Sequence, residues 1–187
     1  PLCVALGPIG LDYTVGDGTD EDAARSASAQ RSVLTRLLAL AAAAQHKPLL
    51  ICCRGGNAAE EDVAKMLKAH VAVHTQALVC TSDAGMLWTR LLMARCQAYQ
   101  VFDGAVTFSK AHAMHELAFD VPLNRLLLAS SAPRHLPTQA GGGRKTICHP
   151  GHVVFTAERL VEVKRGSVEL LQLIEASREN ARTVFGV

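Results

Sequence analysis

Short apolar runs alternate with longer amphipathic stretches along nearly the whole chain, and this alternation restricts the fold more than any other feature. PLCVALG, PLLICC, QALVC, YQVFDG and RLLLAS read as strands, each followed by a turn signal or a polar cluster. Between them lie DEDAARSASAQRSVLTRLLALAAAAQHK, NAAEEDVAKMLKAHV, AGMLWTRLLMARC and SKAHAMHELAFDV, with apolar residues at helical spacing. In the first of these, Val33, Leu34, Leu37, Leu38 and Ala41 fall on one face, which predicts a buried stripe. Such alternation implies an α/β chain with a parallel sheet and right-handed crossovers. The first helix is expected to begin near Asp20 or Asp22, where acids suit the positive end of the helix dipole. Asn57 is the expected N-cap of the second. Pro48 and Pro122 separate helices from the strands that follow. Beyond RLLLAS comes a loop of about 20 residues, including the glycines at 141 to 143, and loops that long are functional or vestigial. Only helices follow, VVFTAERLVEVKRG and then SVELLQLIEASRENARTVFGV, with Gly166 marking the stop between them.

The 187 residues suit one domain, 1–187, and the 49% apolar content points to a globular core rather than disorder. A net charge of +2 arises from interleaved acids and bases with no run of Lys or Arg, so nothing demands a polyanionic partner. No apolar run is long enough to cross a bilayer, and no secretory segment opens the chain, so an intracellular protein is expected. The six cysteines show no C-x-x-C pair and lie mostly in strand-like runs, where Cys serves as a small hydrophobe.

Five ordered motifs then resemble the TatD family of metal-dependent deoxyribonucleases, here most like its animal-type domains. GPIGLDY resembles G-E-I-G-L-D-Y, PLLICCRGG resembles P-x-x-I-H-C-R, and LVCTSDAG stands where the family has a second H-C-F-S/T-G. VPLNRLLLASSAP resembles I-P-L-[DE]-R-[IL]-L-x-E-T-D-A-P, and ENARTVFG resembles the closing E-N-x-x-x-[LF]-F. The resemblance implies a (β/α)8 TIM barrel of the amidohydrolase type with C-terminal helices. It also implies a site in which two divalent ions sit at the C-terminal mouth of the barrel and activate water.

Against that pattern the ligand positions have changed. Pro8 stands for the bridging Glu, Cys52 for the His of the second motif and Val79 for the His of the third. Ala129 and Ser131 replace the Glu and Asp of E-T-D, while Asp12 and Arg54 keep their identities. The family's H-x-H strand end is absent, so the first strands are expected to be missing and the barrel incomplete. With its ligand set gone, Asp12 is expected to hold a backbone group or an Arg at a strand end.

The expectation is therefore a catalytically inactive TatD-like homologue without a cofactor. It would act as a structural subunit beside other protein subunits of a larger intracellular complex, with the mitochondrion as one candidate home. The alternative is a metal-dependent deoxyribonuclease or phosphodiesterase with an altered site for Mg, Mn or Zn, for which Cys52, Cys148 and His149 are the candidate ligands. Nucleic acid enters as a third partner through Arg54, with Arg125, Arg134 and Arg144 on nearby loops. His112 and His115 at i and i+3 read as a helix face, and Ser130 and Ser131 lack an identifiable orienting acid for nucleophilic chemistry.

Overall fold

The computed structural model describes residues 3–15, 19–43, 47–72, 75–80, 96–141 and 146–186. Residues 81–95, which hold the end of LVCTSDAG and all of the expected helix AGMLWTRLLMARC but its last residue, and residues 142–145 of the long loop with Arg144, lie outside the described residues. Five strands follow the chain in sheet order: β1 (Leu6–Asp12), β2 (Leu49–Arg54), β3 (Gln76–Cys80), β4 (Gln97–Phe102) and β5 (Leu126–Leu128). The helices among the described residues are α1 (Asp20–Ala43), α2 (Gly56–His70), α3 (His112–Asp120), α4 (Val153–Val163) and α5 (Leu170–Phe185). The chain divides into two compact units, Pro1–Tyr99 and Gln100–Val187. No helix among the described residues is long and apolar enough to cross a membrane.

In the first unit β1, β2 and β3 pair in parallel, as the strand and helix alternation requires. Ile9, Leu11, Ile51 and Cys53 alternate with Gly10, Asp12, Cys52 and Arg54, so each set occupies one face of the sheet. Leu11, Ile51 and Cys53 are buried, and with Leu34, Leu38, Ala59, Val63 and Leu67 of α1 and α2 they form the core of this unit. Thr19 precedes α1, and Asp20, Glu21 and Asp22 fill its first turn, where carboxylates suit the dipole. Only Leu34 and Leu38 of the expected stripe are buried. Val33, Leu37 and Leu40 remain 55%, 36% and 67% exposed, because α1 covers a sheet margin with a narrow i, i+4 stripe. Asn57 does not cap α2: that place belongs to Gly55, left-handed at φ 102, and Asn57 lies one position inside the helix.

Tyr13, the last residue of GPIGLDY, joins α1 to α2. Its hydroxyl donates to Asp62 Oδ2 at 2.7 Å and accepts from Arg31 at 3.0 Å. Burial, and then the hydrogen bond to Asp62, push the phenol above its ordinary pKa.

The second unit starts within β4, which pairs in parallel with β5 through Gln100↔Leu126 and Phe102↔Leu128. Its core includes Phe102, Val106, Ala118, Leu126, Leu160 and Leu173. Two polar side chains of α5 finish β5: Ser177 Oγ accepts from Leu128 N at 3.0 Å, and Asn180 Nδ2 donates to Leu123 O and Leu126 O at 2.7 and 2.8 Å. Lys164, buried at the end of α4, donates to Val121 O at 2.7 Å and Phe119 O at 3.2 Å, both at the C-terminal end of α3. Burial lowers its pKa, and Asp120 opposes that shift. The expected stop at Gly166 is present with φ 70.

Candidate functional site

In the first unit Asp12 and Arg54 stand at the C-terminal ends of β1 and β2, and Pro8 lies earlier in β1. Pro8 is exposed within an irregularity of β1 where the register shifts between Leu6 and Ile9. A residue without an N–H is tolerated there because no ladder bond is lost. Asp12 is opposite Arg54 in register. Its carboxylate turns back on the chain, with Oδ1 accepting from Thr14 N at 3.0 Å and from Thr14 Oγ1 at 2.5 Å. Its backbone is bracketed by Gln30, whose amide accepts from Asp12 N and donates to Asp12 O, both at 2.7 Å. Asp12 thus holds a backbone turn rather than an arginine.

Register corrects one assignment. Val79 lies opposite Ile51, and both are fully buried on the face that carries the core, whereas Cys80 is the partner of Cys52. Val79 therefore does not share a face with Cys52, because a one-residue step along a strand reverses the side-chain direction. Cys52 is exposed and Cys53 is buried behind it.

In the second unit the residues gather around Asp103, which directly follows β4. Asp103 Oδ1 accepts from Ala105 N at 2.9 Å and caps the short 3-10 turn Gly104–Thr107. Oδ2 accepts from Ser131 Oγ, and His135 Nδ1 lies 2.7 Å from the same oxygen, which makes Nδ1 the protonated nitrogen. The acid that Ser131 lacked in the sequence is therefore Asp103. The geometry is nonetheless not that of a nucleophile, since Ser131 donates to the carboxylate and not to the imidazole that would have to take its proton. Ala129 continues the backbone ladder, donating to Phe102 O at 2.9 Å, and its methyl group offers no ligand atom.

Cys148 is buried, with its thiol directed at Ser130 O at 3.3 Å. Burial, and then the charge of Asp103, push this thiol above its ordinary pKa, away from the thiolate a metal would need. His149 spends Nδ1 accepting from Gly151 N at 3.0 Å and caps the turn Pro150–His152. His115 Nε2 bonds Val106 O at 2.8 Å. Of the candidate zinc ligands, Cys52 belongs to the first unit and Cys148 and His149 to the second. No group of three His, Cys, Asp or Glu among the described residues is placed to hold a metal.

Among the described residues the donor set does not fit a pair of divalent ions. At the positions the resemblance marks, Pro8 and Ala129 have no ligand atom, Ser131 is used as a donor, and Asp12 Oδ1 is occupied by Thr14. A binuclear centre needs bridging carboxylate and imidazole donors free to face the ions. Sequence reading missed Asp103 and Gln30. An Asp between a strand end and a Gly is an N-cap signal that would have flagged the first, but nothing local flags the second.

Comparison with known proteins agrees with the fold. The chain is 28% identical over 191 residues to the human (Homo sapiens) 3'-5' RNA nuclease TATDN2, covering 100% of this chain and 23% of that protein. It is 29% identical over 184 residues to the uncharacterized metal-dependent hydrolase YabD of Bacillus subtilis (strain 168), covering 98% of this chain and 66% of that one. The chain thus spans under a quarter of the first relative and just under two thirds of the second. The crystal structure of YJJV, a TatD homologue from Escherichia coli k12, superposes with a TM-score of 0.75 at 21% identity, covering 98% of this chain and 64% of that one. This likeness gives the α/β architecture as that of the TatD barrel. The family model for TatD related DNase matches residues 1–186, and the chain belongs to that family.

Proposed function

We propose that this chain is a non-catalytic member of the TatD family, serving as a structural or interaction subunit of a larger assembly. The observation that carries the proposal is the donor set: Pro8 and Ala129 offer no ligand atom, and Asp12 Oδ1 and the Ser131 hydroxyl are engaged in other bonds. Two further features favour an interaction role. Val33, Leu37 and Leu40 form an exposed apolar ridge at i, i+4 and i+7 on α1. The outer edge of β1, the first strand in sheet order, has no partner among the described residues.

The second reading is a metal-dependent deoxyribonuclease or phosphodiesterase with an altered site. It is favoured by the family match over residues 1–186 and by relatives that carry nuclease and hydrolase names. Native mass measured on the endogenous protein in a gently lysed extract tests the assembly. Migration far above the mass of one polypeptide, with a fixed set of co-migrating proteins, is the expected result. A monomer or small homo-oligomer would contradict it.

A further inference from the structure

Asp103, His135 and Ser131 form one hydrogen-bonded cluster. Both carboxylate oxygens of Asp103 are used: Oδ1 by Ala105 N at 2.9 Å, Oδ2 by the Ser131 hydroxyl and by His135 Nδ1 at 2.7 Å. The side chains of Asp103 and His135 are only 16% and 21% exposed, so these bonds are largely shielded from water and stronger for it. Ser131 and His135 are also two of the non-glycine residues with positive φ, at 50° and 53°. Left-handed backbone at such residues persists only where the surroundings over-determine it. Here the two strained residues are the two that donate to Asp103 Oδ2. The backbone meets at the same place: a Cβ on Gly104 would come within 1.9 Å of His135 O, so only glycine allows the approach.

We infer that Asp103, His135 and Ser131 form a metal-independent clasp fixing the loop after β5 to the end of β4, and that the Ser131 hydroxyl keeps this cluster from taking a divalent cation. The inference rests on the non-catalytic reading. Its chemistry follows from who donates. With a hydroxyl at 131, one carboxylate is satisfied by two donors and needs no cation. With a carboxylate at 131, two like charges would converge beside an imidazole; they repel when alone and become a cation's donor set when one is supplied.

Thermal unfolding of the full chain and three variants, in EDTA and in excess Mn²⁺, tests this. Ser131→Ala should lower Tm by about 3–6 °C, the loss of one hydrogen bond to a charged group in a chain of this size. Asp103→Asn should lower it by about 5–10 °C, and Ser131→Ala carries the test if that variant does not fold. Ser131→Asp should fall in EDTA and recover in Mn²⁺, while the wild-type Tm is the same in both. A wild-type Tm raised by Mn²⁺ and no longer raised in Asp103→Asn would overturn the inference, as would Ser131→Asp matching wild type in EDTA. Failure here and failure of the non-catalytic reading are separable. A cation on the cluster without hydrolysis removes the clasp alone, whereas hydrolysis by wild type with the clasp intact removes the reading alone.

Discussion

Gly10→Ala is expected to leave little folded protein, with a loss of roughly 3–5 kcal/mol where any folds. Gly10 faces Cys52 in the β1 and β2 ladder, and a Cβ there would lie 1.7 Å from Cys52 O. The obstructing atom is main chain, so no rotamer change can relieve it, and the strands would have to part. The φ of 155° adds a second penalty, because that region belongs almost wholly to glycine. Gly56→Ala is the control: φ is also positive, at 66°, but a Cβ there meets nothing within 4 Å, so the loss should be about 1–2 kcal/mol. Urea unfolding of both variants measures the difference. Gly10→Ala with wild-type stability would mean that β1 does not pair with β2 in this register.

Asn180→Ala is the second large effect. Its amide donates to Leu123 O and Leu126 O from a position that is 9% exposed. Truncation removes two hydrogen bonds, while Leu123 O keeps the bond from Leu126 N, so the expected loss is about 2–3 kcal/mol. Asp is the informative second substitution, since a carboxylate cannot donate to a carbonyl and should be no better than alanine. Restoration of stability by Asp would show that size, not donation, is what the site requires. This pair of bonds also gives a physical reason for the asparagine of ENARTVFG, the motif that closes the resemblance: it satisfies the carbonyls at the start of a short final strand.

The strands and helices could be read from the sequence because each carries its own periodicity. Asp20, Asp22, Pro122 and Gly166 announced their turns for local reasons, through dipole, ring geometry and positive φ. What could not be read depends on partners distant in the chain. Val79 and Cys80 both belong to QALVC, and only pairing with β2 decides which of them lies opposite Cys52. The stripe on α1 looked wide because periodicity counts apolar residues, whereas burial depends on how much sheet lies beneath the helix. Asp103 is 28 residues from Ser131 and 32 from His135, and the loop must fold before the cluster exists. That Pro8 and Ala129 carry no donor atom was visible by residue identity alone. The arrangement that replaces them was not.

The measurement that bears most directly on the central claim is hydrolysis of single-stranded DNA and RNA oligonucleotides by the purified chain with Mg²⁺, Mn²⁺ or Zn²⁺, alongside its bound-metal content. The account predicts product no higher than in a chelator blank and less than one metal ion per chain. Metal-stimulated cleavage that EDTA and Cys52→Ala both abolish would contradict it and establish the altered-site nuclease instead.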